Sequence, residues 1–272
     1  MTLLDQLIRA YRGAARPLDR QLIRWRDRRR LERLLAGVAA GDYLPVFVVV
    51  VPRTLGWLEP CLKLVPDEVP LVLVTNGLSG AESRRLAIEF PGRPQFPLSV
   101  IPGSFAKHGT VLDLLVGAAN SDFVVLDHDC YVFDAELFRP VLWRGDEFLA
   151  AVDVAGFFTI NAATGLKFPR THFLVLRRDR LVELRERFGV GCEKAESTPH
   201  AVAELLRAIG IGDHNFPPAR MTFYDTLQLA MSAGFALGWS VRQFSASPED
   251  IAHIGGTARQ LNQPGLAPPR DE

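Results

Sequence analysis

The sequence predicts an α/β protein in which helices flank a mostly parallel sheet. Short runs of β-branched and other apolar residues recur along the chain, and such runs are typical of strands buried on both faces. Helical stretches separate the runs, and this alternation favours parallel pairing. Polar residues follow the ends of several runs, which is where ligands lie on such sheets. A basic segment, predicted to be helical, precedes the pattern.

The predicted strands and helices alternate in strict order through the first half of the chain. Each strand is a short apolar run, the helix at 110–119 is apolar, and the helix at 80–90 is predicted from residues suited to that state, such as Ala81, Glu82 and Arg85. The order of strand, helix, strand, helix, strand, helix, strand is typical of a doubly wound sheet. The predicted strands are 46–51, 71–74, 98–101 and 123–126, and the predicted helices are 55–64, 80–90 and 110–119.

The formal net charge of zero conceals a basic N-terminus. Residues 1–37 carry ten arginines against four acidic residues. Apolar residues recur at helical spacing over 2–38, and Pro17 is expected to break or kink this helix. We expect the segment either to pack on the main domain or a second subunit, or to lie on an anionic membrane with Trp25 buried. Nucleic acid is not expected as a partner, because no recognition motif accompanies the basic residues.

Cysteine usage and hydropathy indicate the compartment. The three cysteines are widely spaced and form no C-x-x-C pair, which argues against a disulfide scaffold and a structural zinc site. No apolar run reaches the ~18 residues that a membrane-spanning helix needs. We therefore expect a cytoplasmic protein, which would be peripheral on the inner face of the membrane if the basic segment binds lipid.

An Asp-His-Asp sequence directly follows the fourth predicted strand. Asp127 and Asp129 place two carboxylates close together beyond a buried strand, where their mutual repulsion needs compensation. A divalent cation supplies this, and oxygen ligands suit Mg²⁺ or Mn²⁺. The alternative is a turn in which the two aspartates cap the following segment or face solvent. The position after three strand–helix units favours the cation site.

The order of motifs in this region resembles the core of GT-A-fold glycosyltransferases, especially family 2-like ones. The resemblance rests on Lys-His-Gly at 107–109, on Leu-Asp-Leu-Leu at 112–115 and on residues 123–129, and it spans roughly residues 44–260. It implies a Rossmann-like GT-A sheet and a nucleotide-diphospho-sugar donor, either a UDP- or a GDP-sugar. It also implies that Mn²⁺ or Mg²⁺ binds to the Asp-x-Asp pair together with the diphosphate.

The resemblance also assigns roles to residues nearer the C-terminus. Asp225 precedes an apolar helix expected to open at 222, where family 2 enzymes keep the base that removes the proton of an acceptor hydroxyl. His253 corresponds to a histidine that completes the metal shell beside Asp127 and Asp129, and Arg259 is expected to contact the diphosphate. The residues themselves leave two alternatives open: Asp225 as a helix N-cap, and His253 as a surface histidine in a glycine turn.

The donor nucleotide is expected over the ends of the first two strands, with its phosphates near the start of the third predicted helix. Family 2 enzymes usually have Asp after the second strand, whereas this chain has Asn76. An amide both donates and accepts hydrogen bonds, so the choice between uracil and guanine stays open. The predicted donor-binding residues are Pro52, Arg53, Asn76, Lys107, His108, Asp127 and Arg259.

The acceptor is expected to bind between residues 134 and 224. This region combines aromatic and polar side chains, as sugar recognition requires, although ordinary strands and loops have the same composition. Residues 189–220 are rich in Gly, Pro and His and are predicted to form a mobile loop. The candidate acceptor-side residues are Trp143, Asp153, Phe157, Phe158, Asn161, Thr171 and His172.

These patterns predict a basic helical segment over 1–40, a glycosyltransferase domain over 41–261 and a flexible tail over 262–272. The predicted activity is inverting, metal-dependent transfer of a sugar to a hydroxyl of a glycan, lipid-linked or small-molecule acceptor. A non-catalytic nucleotide-sugar-binding protein is one alternative. A haloacid-dehalogenase-like phosphatase is another, because residues 126–129 also resemble the opening motif of those enzymes. That motif usually stands near the start of the chain, which favours the transferase.

Overall fold

A sheet with helices on both faces forms the centre of the molecule. The structure is a computed structural model, and it describes residues 23–38, 41–100, 105–154, 156–216 and 223–254. The strands in this part of the chain are β1 (Val46–Val50), β2 (Leu71–Thr75), β3 (Gln95–Pro97), β4 (Phe123–Leu126), β5 (Cys130–Val132), β6 (Glu147–Val152), β7 (Phe158–Ile160), β8 (Lys167–Pro169), β9 (Phe173–Leu176), β10 (Ser240–Phe244) and β11 (Ile251–His253).

Seven of these strands form the main sheet, in the order β10-β6-β9-β4-β1-β2-β3. Strand β9 runs antiparallel to both of its neighbours, and the other pairs are parallel. Two small antiparallel sheets, β11-β5 and β7-β8, lie outside the main sheet. The mostly parallel α/β sheet predicted from the sequence is therefore confirmed.

The helices alternate with the strands of the parallel half of the sheet. A π-helical turn at Ile23–Asp27 leads into the first α-helix, and a 3₁₀ turn spans Ala135–Phe138. Ser79 and Glu82 form a capping box at the start of the third α-helix. Its hydrogen bonds satisfy backbone amides that have no partner within the helix. The α-helices are α1 (Arg28–Ala36), α2 (Leu55–Leu64), α3 (Gly80–Glu89), α4 (His108–Ala118), α5 (Arg178–Phe188), α6 (His200–Ala208) and α7 (Gln228–Ala236).

The sheet divides the core into two apolar clusters. In β1, Phe47 and Val49 belong to one cluster while Val48 belongs to the other, because successive side chains of a strand point to opposite faces. Helices α1, α4, α5, α6 and α7 contribute to the first cluster, and α2 and α3 contribute to the second. Burial on both faces explains why β1, β2 and β4 are continuous apolar runs in the sequence.

Three predicted elements differ from the structure. The third strand is Gln95–Pro97 rather than 98–101, and the amide of Ser99 instead donates to Asp27. The region 189–220, predicted as a mobile loop, contains α6, whose Val202 and Leu206 are both fully buried and stand one helical turn apart. The helix expected to open at 222 begins at Gln228.

The described part of the basic N-terminal segment packs on the sheet domain. Ile23, Leu31 and Leu35 of this segment belong to the first core cluster. Asp27 is fully buried, and its carboxylate accepts hydrogen bonds from the amide and hydroxyl of Ser99, both at 2.6 Å. Arg30 donates to the same carboxylate at 2.8 Å. The apolar face of α1 is therefore buried against protein.

The membrane hypothesis needs Trp25 buried in lipid, and this side chain is 73% exposed at the surface. No helix in the described ranges has the length and apolar composition needed to cross a bilayer. Residues 1–22, which carry part of the predicted basic helix, lie outside the described residues. Lipid binding by the whole segment stays a prediction.

We expect the substitution Asp27→Ala to lower the free energy of unfolding by about 1–3 kcal/mol, because it leaves the Ser99 amide without its acceptor. Urea denaturation of the full chain measures this change. Glu32→Ala is the matched control, since Glu32 is an exposed carboxylate of the same helix that pairs with Arg28, and such pairs contribute less than about 1 kcal/mol. Equal losses in the two variants would contradict the role given to Asp27.

Candidate metal and donor site

The antiparallel pairing of β4 and β9 places an aspartate beside a histidine. Asp127 directly follows β4, His172 directly precedes β9, and Leu126 pairs with Phe173 in the register. The amide of Asp127 donates to the carbonyl oxygen of His172 at 2.9 Å. Their side chains meet as well, with 3.1 Å between His172 Nδ1 and Asp127 Oδ2. The register of two strands therefore fixes this carboxylate–imidazole pair.

A second carboxylate–imidazole pair forms across the small sheet of β5 and β11. His253 pairs with Cys130 in the register, and the amide of Ile254 donates to the carbonyl oxygen of Asp129. His253 Nε2 lies 3.2 Å from Asp129 Oδ1, and the Asp129 side chain is only 4% exposed. The structure thus places Asp129 beside a histidine 124 positions away, and a metal ion shared by the two stays a prediction.

The two pairs meet in one cluster. Asp127, His172 and His253 each offer a ligand atom, and these atoms all lie within 4.8 Å of one another. The imidazole rings of His172 and His253 stack with centroids 3.3 Å apart, and Phe157 contacts both rings with its edge or face at 5.7 and 6.2 Å. A carboxylate oxygen and two imidazole nitrogens at these separations fit a divalent metal ion.

His172 is the member of the cluster that the sequence analysis assigned elsewhere. It was expected on the acceptor side, whereas the structure brings it to Asp127 and His253. Asp129 joins the cluster through His253. The sequence signal for His172 is its position directly before the apolar run at 173–176. Asp127, in contrast, directly follows an apolar run.

Charge in the cluster favours the ionised form of Asp127. Burial raises the pKa of this carboxyl, but the hydrogen bond from His172 and the nearby imidazole of His108 outweigh burial and hold the pKa below its ordinary value. Burial also raises the pKa of Cys61 to about 12, and the charges of Asp129 and Asp127 act in the same direction. Cys61 is therefore a neutral thiol at neutral pH, and the carboxylates and imidazoles remain the available ligands.

His108, the first residue of α4, carries a buried nitrogen without a hydrogen-bond partner. Its Nε2 has no partner among the described residues. Burial lowers the pKa of this imidazole, while the charges of Asp127 and then Asp225 act in the opposite direction. The charges of both carboxylates therefore act on the His108 imidazole and favour its protonated form. An unpartnered polar atom in a native structure calls for an explanation, and a bound ligand would supply one.

Asp225 stands three residues before α7 and is held by an ion pair. Its Oδ1 lies 2.6 Å from Lys194 Nζ and accepts the amide of Thr226 at 2.8 Å. The N-cap position of α7 is Leu227, and no side chain caps this helix. The N-cap alternative for Asp225 therefore does not describe this turn. Lys194, which also lies over the ring of Phe223, has no distinguishing signal in the sequence.

The backbone of Cys192 links the turn around Asp225 to the start of α4. Its carbonyl oxygen accepts the amide of Leu227 at 2.9 Å, and its amide donates to Asp113 Oδ1 at 2.8 Å. A Cβ atom at Gly109 would lie 2.5 Å from that carbonyl oxygen, so only glycine permits this approach. Leu227 has a φ of 64°, a strained value that costs about 1–3 kcal/mol. This packing holds Asp225 near His108.

The remaining predicted donor residues lie after β1 and β2 or at the start of α4. Arg53 has a φ of 69°, and its amide donates to Glu82 at 2.6 Å. The buried Asn76 side chain donates to the carbonyl of Ala106 at 2.9 Å and accepts its amide at 2.7 Å. Asn76 thus anchors the segment that leads to the exposed Lys107. Direct donor contacts of these residues and of Pro52 stay predictions, and Arg259 lies outside the described residues.

Solved glycosyltransferases are among the structures similar to this chain. GlyE from Streptococcus pneumoniae TIGR4 shares 16% identity, with 54% of this chain and 39% of GlyE covered and a TM-score of 0.37. The galactosyltransferase LgtC with donor and acceptor sugar analogues shares 12% identity over 79% and 88%, with a TM-score of 0.47. Glucosyl-3-phosphoglycerate synthase from Mycobacterium tuberculosis with Mg²⁺ and UDP shares 16% over 86% and 78%, with a TM-score of 0.44. This chain spans less than half the length of GlyE.

A comparison with curated proteins found no match. The family model of the StrH glycosyltransferase N-terminal domain matches residues 24–181, more than half of the chain. The matched range includes strands β1 to β9 together with Asp127, Asp129 and His172, and it ends before Asp225 and His253. The chain therefore belongs to the StrH glycosyltransferase N-terminal domain family, and the GT-A-like glycosyltransferase fold expected from its sequence is confirmed.

Proposed function

We propose that this chain transfers a sugar from a UDP- or GDP-sugar to an acceptor hydroxyl, with inversion and with the help of a divalent cation. One observation carries the proposal. A carboxylate–histidine cluster of Asp127, His172 and His253 lies at an edge of the sheet, and His108 feels the charge of both Asp127 and Asp225. The charges of the candidate cation site and of the candidate base therefore both act on His108, in a member of a glycosyltransferase family.

The cation would be held by Asp127, Asp129 and His253, as Mn²⁺ or Mg²⁺. Each carboxylate has an imidazole 3.1 or 3.2 Å away, a separation close to the ~3 Å that neighbouring ligands of a metal ion adopt when metal–ligand bonds are about 2.1 Å. When bound, such an ion neutralises the negative charge of the departing diphosphate. The chain's own contribution is to keep both carboxylates aligned and mostly shielded from water.

The donor would bind between this cluster and the start of α4. His108 Nε2 lacks a partner in the described structure and would donate to or accept from the donor. Lys107 is exposed beside it, and the N-terminus of α4 carries partial positive charge that favours phosphate. Pro52, Arg53 and Arg259 would complete the nucleotide site.

Asp225 would act as the general base. Lys194 and the amide of Thr226 both contact Oδ1, and this arrangement orients the carboxylate while Oδ2 accepts the proton of the acceptor hydroxyl. Removing that proton as the new bond forms turns a weak nucleophile into an effective one. The hydroxyl oxygen then bonds to the anomeric carbon while the bond to the diphosphate breaks.

The acceptor and the location belong to the same proposal. We infer a glycan, a lipid-linked sugar or a small molecule as acceptor, bound on the side of β7 and β8. The three cysteines are free and buried, which accords with a reducing cytoplasm. Contact with an anionic membrane would involve the basic residues of the segment over 1–40.

We expect Asp225→Asn to lower kcat by about 10²–10⁴-fold because the amide is not a base, with the KM for the donor close to its wild-type value. Release of nucleoside diphosphate from a panel of nucleotide-sugars, with water and simple sugars as acceptors, measures both parameters. Asp179→Asn is the control, because this exposed carboxylate in the first turn of α5 pairs with Arg177, the residue before the helix. A D225N variant that turns over at the wild-type rate would remove Asp225 from the mechanism. Donor binding without any turnover by the wild type would instead support a non-catalytic binding protein.

We expect a UDP- or GDP-sugar together with Mn²⁺ to raise the thermal midpoint of the full chain by roughly 5–10 °C when the donor is present at about 100 times its Kd. Chelation of the metal, or the substitution Asp127→Asn or His253→Asn, should abolish most of this shift. Thermal unfolding followed by fluorescence is the measurement, and His214→Asn, at an exposed position, is the control. An equal shift in the presence of a chelator would contradict the metal dependence.

A further inference from the structure

We propose that His172 is a protein ligand of the cation and that it makes this site prefer Mn²⁺, or another transition metal, over Mg²⁺. The inference rests on the cation site of the proposed function and names the residue that determines which cation binds there. His172 has no place in the Asp-x-Asp and C-terminal histidine pattern that the sequence predicted. It enters the site only through the antiparallel pairing of β4 and β9.

The separations among the donor atoms suit one shared ion. Ligand atoms of Asp127, His172 and His253 all lie within 4.8 Å of one another. In octahedral coordination with bonds of about 2.1 Å, adjacent donors are about 3 Å apart and opposite donors about 4.2 Å apart. The measured 3.1 Å between His172 Nδ1 and Asp127 Oδ2 matches an adjacent pair. A single ion would therefore contact all three groups once the stacked rings of His172 and His253 turn apart, so that a nitrogen of each ring points at the ion.

The packing around His172 holds its ring in place. Its side chain is 16% exposed, its ring stacks on that of His253 at 3.3 Å, and the edge of Phe157 packs against it at 5.7 Å. The backbone of the same residue accepts the amide of Asp127 at 2.9 Å. This packing keeps the imidazole of His172 beside Asp127 and His253, the other groups proposed to reach the ion.

The donor set determines the metal. Mg²⁺ is a hard cation that takes oxygen ligands and dehydrates reluctantly. Imidazole nitrogens suit transition metals, and affinity rises from Mn²⁺ towards Cu²⁺ for a given set of ligands. Beside the carboxylates of Asp127 and Asp129, the imidazoles of His172 and His253 would supply two nitrogens, where an Asp-x-Asp site with one histidine supplies one. We therefore expect the second imidazole, from His172, to increase the discrimination against Mg²⁺.

The test measures binding of Mn²⁺ alone and Mg²⁺ alone to the full chain by calorimetry, without donor or acceptor. We expect the wild type to bind Mn²⁺ more tightly than Mg²⁺. His172→Asn should weaken Mn²⁺ binding by at least about tenfold while changing Mg²⁺ binding little, since the amide still offers an oxygen. His200→Asn is the matched control, because His200 is exposed at the start of α6, and its Mn²⁺ affinity should equal that of the wild type.

Pulsed electron paramagnetic resonance of Mn²⁺ bound to the wild-type chain supplies a readout that needs no variant. Two coordinated imidazoles should give nitrogen couplings from two histidines, and H172N should retain one. A single imidazole in the wild type, together with unchanged Mn²⁺ affinity in H172N, would overturn the inference. If D127N and H253N then abolished Mn²⁺ binding, the proposed function would stand without His172. If the wild type bound no Mn²⁺ even with UDP or GDP, the metal dependence and this inference would both fail.

Discussion

The antiparallel pairing between β4 and β9 determines which polar groups meet where β4 ends and β9 begins. Because Leu126 pairs with Phe173, the residue after one strand lies beside the residue before the other, and Asp127 contacts His172. The short β5–β11 pairing does the same for Asp129 and His253. Backbone hydrogen bonds thus hold carboxylates and imidazoles together in a partly dry environment, where unpaired charge would be costly.

A second constraint, the packing of the Cys192 backbone, joins the start of α4 to the turn around Asp225. The carbonyl oxygen of Cys192 accepts the Leu227 amide and lies where a side chain at residue 109 would collide with it. Because α4 approaches this closely, His108 at its first turn lies within range of both Asp127 and Asp225. Packing of the backbone at Cys192 therefore joins the turn that carries the candidate base to the helix that begins with His108.

The sequence predicts local features of this protein better than it predicts pairings between distant segments. Strands β1, β2 and β4 could be predicted because each is buried on both faces and reads as a continuous apolar run. Asp127 and Asp129 could be predicted because they stand directly after such a run, and His253 because it matches the family pattern. His172 could not be placed, because its approach depends on β9 running antiparallel, and the sequence of β9 does not encode its direction. Helix α6 was not predicted, because the many Gly, Pro and His residues around it favour a loop. The helical spacing of its buried residues Val202 and Leu206 was too short a pattern to outweigh them.

The carboxylate–imidazole pairs also compensate the charge of the two aspartates. Two adjacent carboxylates at the end of a buried strand repel each other, yet each of Asp127 and Asp129 has an imidazole within about 3.2 Å. Burial raises the pKa of the Asp127 carboxyl, but the hydrogen bond from His172 and the nearby imidazoles together hold it below its ordinary value. Binding of a cation would exchange these hydrogen bonds for coordination bonds at similar separations. The groups that pair with one another in the structure are thus the groups that we propose as ligands of the ion, and the stacked rings of His172 and His253 would separate to reach it.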